Sequence, residues 1–366
     1  MKKKTVLHMW VLTAEYEPYL LGGLGTAATQ LTHELSKEKC KITVITRHQS
    51  KSMSVVRKGN LNILRFPTHY RSKRIKRILR EKKLPLPNVI HIHSLQYLPL
   101  VRTMKKTGKI PVVYTSHSIV KESKGKRSVF TPKNQKSLYK LADAIVVPSQ
   151  SEAFLLKRKY PLFKNKITVI EHGVKGSNHT TSAPPHLLVY VGRLVEKKGV
   201  KQLLNAVPVL VKYNSSMRLF FIGEGPKSYE KKLKQHVKAL KIKPYIKWVG
   251  KYPYSKLQKS YQKFGAVIMP STTESFGLVA LEALAHGVPL VSTREGGLSL
   301  FVNKHVAQVI PKVDSKSIAD SIIKMWKNPR LTKKRVIEGK KVANLYRWEE
   351  VSKRYYKLFI NVTRKR

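Results

Sequence analysis

Two carboxylates eight positions apart stand out in the stretch from Pro270 to Pro289, PSTTESFGLVALEALAHGVP. Glu274 falls in a loop composition, Pro270-Ser271-Thr272-Thr273. Phe276 to His286 reads as a helix, on which Leu278, Leu281, Glu282 and Ala285 share a face and Glu282 points outward. Gly287 supplies a stop and Pro289 prevents continuation. The N–H groups of Phe276, Gly277 and Leu278, at the positive end of such a helix, suit an anion. Gly277 also lets a ligand come close to the backbone. A carboxylate near a sugar, amides near a phosphate and a second carboxylate near a ribose outline a nucleotide-sugar site. The same stretch also reads as a capped amphipathic helix with an incidental glutamate.

Other residues could join it. In Val191-Gly192-Arg193-Leu194-Val195-Glu196-Lys197-Lys198-Gly199, Arg193 follows a strand at the edge where open α/β sheets bind ligands, and Lys198 precedes the next helix. Together they could hold a diphosphate, arginine as a fork and lysine as a point charge. Gly22-Gly23-Leu24-Gly25 leads into a helix and could turn amides toward a phosphate. Ile222-Gly223-Glu224-Gly225-Pro226 is another strand-to-helix loop, and Trp248-Val249-Gly250 ends a strand where backbone groups could meet a base edge. His93 and His117 close neighbouring strand candidates and could reach one cleft. His91 reads as a core or sheet-face residue.

These positions must be held by an α/β frame. Short apolar strands alternate with helices through all 366 residues. Strands are predicted at 5–12, 41–46, 60–66, 89–93, 112–116, 144–148 and 167–170, then at 187–191, 218–222, 246–249, 266–269, 290–292 and 306–310. Residues 173–185, GVKGSNHTTSAPP, have a linker composition. The domains are therefore 1–172 and 186–346, with a closing helix at 347–366 that could return to the N-terminal domain. Cys40 is the single cysteine, which excludes an internal disulfide and fits a reducing cytoplasm.

Charge narrows the function classes. Lys and Arg total 73 against 20 acids, a net charge of +53 that attracts polyanions. A nucleic-acid binder should pair its cations with stacking aromatics or a known module, and neither is present. Asp143, Asp314 and Asp320 are the only aspartates and no Asp-x-Asp occurs, so no carboxylate cluster for a divalent metal is expected. Residues 71–83, RSKRIKRILREKK, place Ile75, Ile78 and Leu79 at helical spacing among eight cations. Such a helix could lie on an anionic membrane at the inner face, or pack its stripe on the sheet.

Taken in order, the motifs resemble glycosyltransferase family 4. They are Gly22-Gly23-Leu24-Gly25, His91-Ile92-His93-Ser94, Thr115-Ser116-His117, Gly192-Arg193-Leu194 with Lys198-Gly199, Ile222-Gly223-Glu224-Gly225-Pro226, Glu274-Ser275-Phe276-Gly277-Leu278 with Glu282, and Gly287-Val288-Pro289. The resemblance implies two Rossmann-like domains facing across a cleft (the GT-B fold), the first for the acceptor and the second for a nucleoside diphosphate sugar. It implies transfer with retention of configuration and no metal or cofactor, with UDP the usual nucleotide. It assigns Arg193 and Lys198 to the diphosphate and Glu282 to the ribose. Glu274 would meet sugar and phosphate with Ser275, Phe276, Gly277 and Leu278; Gly22 and Gly23 would close over the phosphates; Gly223 and Val249 would complete the donor pocket. His117 would touch the donor sugar near the reacting carbon, and His93 the acceptor, which could be lipid-linked or anionic. Leu21 stands where glycogen and starch synthases have lysine, which ranks a polyglucan synthase lower; a non-catalytic binding protein of the same fold is the other alternative.

Overall fold

The computed structural model describes residues 6–20, 22–120, 128–177 and 180–364. Thr5 of the first expected strand, Leu21, and Asn178 and His179 of the expected linker lie outside them. The chain divides into two units, Met1–Gly173 with Trp348–Arg366, and Val174–Arg347.

The first unit opens with β1 (Leu7–Leu12), an unbroken apolar run of the kind that parallel sheets bury on both faces. Its side chains alternate: Met9 and Val11 enter one core, Trp10 and Leu12 the other. The elements that follow are α1 (Gly23–Leu35), β2 (Cys40–His48), β3 (Ser54–Lys58), β4 (Leu61–Pro67), α2 (Ser72–Glu81), β5 (Val89–Ile92), α3 (Leu98–Gly108), β6 (Val112–Thr115), α4 (Pro132–Leu141), β7 (Ala144–Val147), α5 (Gln150–Lys159) and β8 (Ile167–Val169). The sheet order is β3-β4-β2-β1-β5-β6-β7-β8, parallel except for the β3–β4 pair. Sequence patterning missed β3. Its residues are mostly exposed, and an edge strand carries no buried periodicity.

The second unit contains β9 (Leu187–Val191), α6 (Val200–Tyr213), β10 (Arg218–Ile222), α7 (Lys227–Ala239), β11 (Ile246–Gly250), α8 (Tyr254–Ser260), β12 (Ala266–Met269), α9 (Leu278–Ala285), β13 (Leu290–Ser292), β14 (Gln308–Val309), α10 (Ser315–Lys327) and α11 (Pro329–Asn344). Its six strands run parallel in the order β11-β10-β9-β12-β13-β14. The segment with linker composition is attached to this unit. The Val174 amide donates to the Tyr346 carbonyl at 2.7 Å, and the Thr181 hydroxyl donates to the Phe264 carbonyl at 2.9 Å.

The chain closes with α12 (Trp348–Arg364), which belongs to the first unit and packs beside α1. Trp348, Val351, Tyr355 and Phe359 are its buried face, and they share a core with Met9, Leu31 and Val113. Helix α2 likewise spends its apolar stripe on the core: Ile75 and Leu79 are buried and Ile78 packs against them. The expectation that this stripe could face a membrane is thereby corrected; burying it in the protein removes it from lipid. Cys40 is buried in β2 as a free thiol.

Phe359 is fully buried, so Phe359→Ala should cost about 3–5 kcal/mol. Hydrogen exchange should show the loss in β1, β5 and β6 of the first unit and leave β9–β13 unchanged.

Candidate functional site

Each unit has its own cluster at the carboxyl ends of its strands. In the second unit, β9 runs into Gly192 and Arg193, a single helical turn spans Glu196–Lys198, and Gly199 turns the chain into α6. Gly199 has φ +67°, and a Cβ there would come within 2.0 Å of the Pro270 carbonyl oxygen. Only glycine allows that contact, which brings Lys198 against the loop that follows β12. There Lys198 Nζ forms an ion pair with Glu274 Oε1, and the Ser271 hydroxyl donates to the same oxygen at 3.0 Å. The pair is largely shielded, with side chains 16% and 11% exposed. Lys198, expected as a point charge on a diphosphate, is thus held in an ion pair. Arg193 is exposed, with no hydrogen bond or ion pair from its guanidinium among the described residues.

Helix α9 begins at Leu278, two residues later than its pattern foretold. Gly277, at φ +100°, stands at its N-cap position, and Phe276 is buried against Phe301 and Tyr346. A left-handed residue cannot continue a helix, so the helix has to start after it. Ser275 and Leu278 are partly exposed beside that turn. Gly223 has φ +137°, and its amide donates to the Gly250 carbonyl at 2.8 Å. The β10–β11 register slips at this point, pairing Phe221 with Trp248 and Ile222 with Gly250, so Val249 is the extra residue of a bulge. A bulge leaves such a residue out of the ladder, which frees backbone groups for a ligand.

Glu282 differs most from expectation. It does not project outward but is 4% exposed. The Tyr261 hydroxyl donates to Oε2 at 2.7 Å, and the Gln258 and Tyr254 side chains lie close by. Burial pushes its carboxyl up to about 7, and these polar neighbours oppose that rise. His286 stacks on Tyr261 at 5.1 Å and shares a 2.7 Å hydrogen bond with the Gln258 side-chain oxygen. Tyr254, Gln258 and Tyr261 were missed by sequence reasoning. The available signal was a lone acid among Ala280, Leu281, Ala283, Leu284 and Ala285, because a buried carboxylate requires donors.

In the first unit, Gly22 and Gly23 open α1. The Gly22 amide donates to Glu15 Oε2 at 3.0 Å, so an internal carboxylate occupies part of the helix N-terminus that the sequence reading offered to a phosphate. Glu15 was missed as well. The histidines form a column. His91 hydrogen-bonds to Thr115 Oγ1 at 2.8 Å, and its ring lies 4.1 Å from that of His93. His93 Nδ1 meets His117 Nε2 at 2.9 Å, and His117 stacks on His172 at 5.3 Å. Tyr355 and Phe359 of α12 close the column at His91, and Trp348 closes it at His172. His93 is 4% exposed with Nε2 buried. That geometry turns its Nδ1 toward His117. Among the described residues, no group of three or more His, Cys, Asp or Glu side chains is arranged to hold a metal ion.

Burial keeps the whole column neutral. It lowers His91 to about 3 and His172 to about 4, and it holds His93 and His117 well below the usual imidazole range. A folded-state pKa below the unfolded value of 6.5 means that the unfolded chain binds the extra proton. Stability present above pH 6.5 is then lost as pH falls toward 4, by about 1.4 kcal/mol per pH unit for each ring. Glu282 works the other way in the second unit: its contribution is full below 4.5 and is lost as pH rises through about 7. His286, lowered to about 4 by burial, offsets it there. Acidification from pH 6.5 to 4 should therefore weaken exchange protection in the first unit more than in the second. His172→Phe should flatten that slope by about one ring's worth, about 1.4 kcal/mol per pH unit.

Residues 21–176 match the family model Glycosyltransferase Family 4, and residues 177–342 match Glycosyl transferases group 1. A D-inositol 3-phosphate glycosyltransferase from Corynebacterium diphtheriae is 28% identical over 242 residues, 59% of this chain and 56% of that protein. The chain thus spans little more than half the length of this relative. A glycogen synthase from Mycobacterium tuberculosis is 23% identical over 385 residues, 94% of this chain and 92% of that protein. Among solved structures, a sucrose-phosphate synthase from Thermosynechococcus elongatus superposes with a TM-score of 0.82 at 17% identity, covering 98% of this chain and all of that one. Anabaena HepE in complex with UDP and glucose does so with 0.77 at 14% identity, covering 96% and 99%. These likenesses establish the fold as that of the GT-B glycosyltransferases. The two family matches adjoin and together run from residue 21 to residue 342, and the chain belongs to glycosyltransferase family 4.

Proposed function

We propose that the chain transfers a sugar from a nucleoside diphosphate sugar, with UDP as the nucleotide, to an acceptor. Transfer proceeds with retention of configuration and without a bound metal. The observation that carries this reading is the exposed Arg193 beside the Lys198–Glu274 pair at the carboxyl edge of the second sheet. Breaking a glycosidic bond builds negative charge on the departing diphosphate, and cations already in place stabilise it as it develops. Arg193 supplies the free fork. Lys198, held by Glu274, supplies a second positive centre without having to be ordered. Ser275 and Leu278 beside the turn at Gly277, and the bulge at Val249, fit the phosphate and base ends of the same ligand. Glu282 fits the ribose once a hydroxyl replaces its tyrosine donor. Gly22, Gly23 and His117 belong to the first unit, which serves the acceptor; His117 acts at the reacting carbon.

The name of the D-inositol 3-phosphate relative and the charge support an anionic acceptor. Binding without transfer is the second reading, and the enclosure of Glu282 by Tyr254, Gln258 and Tyr261 favours it. Thermal unfolding against a panel of UDP-, GDP- and ADP-sugars, followed by transfer of radiolabelled sugar to lipid and soluble extracts, separates the two. A UDP-sugar at a hundredfold excess over its dissociation constant should stabilise the protein by about 2.7 kcal/mol. Label should move into product, and Arg193→Gln should cut turnover by roughly 10²–10³. Stabilisation without product in any extract would favour the second reading. Loss of turnover in EDTA, restored by Mg²⁺, would rule out metal-free transfer.

A lipid-linked acceptor would need the protein at a membrane surface. No helix among the described residues is long and apolar enough to cross a membrane. The cations of α2 and its flanks remain outside: Arg71, Lys73, Arg80 and Lys83 are exposed, while Arg74 lies over the Tyr70 ring at 3.7 Å and Arg77 pairs with Glu81. With Ile75 and Leu79 buried, the contact is electrostatic, about 1 kcal/mol per cation. Binding to anionic vesicles should be abolished by high salt and reduced by changing these four residues to Gln. Changing Lys231, Lys232, Lys234 and Lys238 of α7 should have less effect; equal losses would mean diffuse charge and no docking face.

A further inference from the structure

β5 and β6 are adjacent parallel strands, with Ile92 opposite Tyr114, so the residues just past them leave the sheet side by side. Those residues carry His93 and His117, whose rings stack at 5.2 Å with an interplanar angle of 28° and share the 2.9 Å contact between His93 Nδ1 and His117 Nε2. Both rings are neutral, because burial disfavours the charged form and each would repel a charge on the other. A neutral imidazole carries one proton, so the contact holds a single hydrogen, and its direction sets where the other ring's proton lies. If His117 donated from Nε2, the proton of His93 would sit on its own Nε2, which is buried without a partner among the described residues. An orphaned buried N–H is the rarer and costlier arrangement. If His93 donates from Nδ1, only a lone pair is orphaned, and His117 must carry its proton on Nδ1.

We infer that His93 is a positioning residue that fixes His117 as the Nδ1–H tautomer, so that His117 offers a hydrogen-bond donor to a ligand oxygen. The functional part rests on the reading that His117 acts at the donor sugar. A donor suits a sugar or phosphate oxygen gaining negative charge; a bare lone pair there would repel it. Stacking on His172 also restrains the His117 ring, so the tautomer fixes the direction of the donated bond.

Long-range proton–nitrogen correlation spectra of the full chain labelled with ¹⁵N-histidine report the tautomer directly, with His117→Ala identifying the ring. The wild-type spectrum should show a protonated Nδ1 and a pyridine-like Nε2 for His117. His93→Phe keeps a flat ring but removes the donor, and should shift His117 toward the Nε2–H form. His93→Asn places an amide N–H near the position of Nδ1 and should restore the original pattern. With UDP release from UDP-glucose as the second readout, His93→Phe should lower kcat by roughly 10- to 100-fold, the range for partners that orient a functional imidazole. Its KM should change less than about twofold, and His93→Asn should recover kcat. A wild-type His117 protonated on Nε2 overturns the inference whether or not any variant folds. So does His93→Asn behaving like His93→Phe, or normal kcat in His93→Phe while His117→Ala is inactive. If the tautomers behave as expected but His117→Ala keeps full UDP release, the reading of His117 as a reacting-centre residue falls instead.

Discussion

The Lys198–Glu274 ion pair is the contact on which the second unit's site depends. It joins the loop after β9 to the loop after β12, and both side chains are largely withdrawn from water. A shielded pair is costly to break, because the partner left behind keeps its desolvation penalty without compensation, about 3–5 kcal/mol. In a chain with 73 basic and 20 acidic residues, an acid used this way is a scarce resource. Its effect is to anchor one cation and leave Arg193 exposed next to it. The backbone makes the pair possible. Gly199 lies against the Pro270 carbonyl, and Gly296 lies so near Glu274 that a Cβ would come within 2.2 Å of its carbonyl oxygen. Side chains at either position would push the loops apart.

The first unit relies on neutral buried polarity. Four imidazoles run from Trp348 to Phe359, the two outer ones packed against a helix that enters this unit from the far end of the chain. Keeping them uncharged avoids the large cost of burying cations near one another. It also makes the stability of this unit sensitive to acid in a way that the second unit is not. Glu282 solves the converse problem: an acid on an apolar helix is made tolerable by two tyrosines and a glutamine, and its carboxyl is left near neutrality.

The α2 segment separates charge from hydrophobicity. Its sequence is equally compatible with a membrane-surface helix and with a helix that covers a sheet edge, because both need a narrow apolar stripe flanked by cations. Ile75 and Leu79 inside the core decide between them. What remains outside is a basic face whose interactions are long-ranged and screened by salt.

The alternation of apolar strands with helices, the glycine-bearing turns and the order of the motifs were properties of the sequence alone. They marked two α/β halves and put Arg193 and His117 at strand ends and Lys198 and Glu274 just before helices, because those signals are local: period, breaker residues and position relative to a strand. The sequence also placed Glu282 on a helix. Tertiary structure decided which way that glutamate faces and that Tyr254, Gln258 and Tyr261 surround it, for residues about 20 to 30 positions away leave no mark on a local pattern. It decided that Lys198 is paired, that Glu15 caps the helix after Gly22, and that His93 turns to His117. It also assigned α12 to the first unit and 174–185 to the second. Each of these is a contact between distant segments, and its energy depends on burial, which exists only once the chain has folded around it.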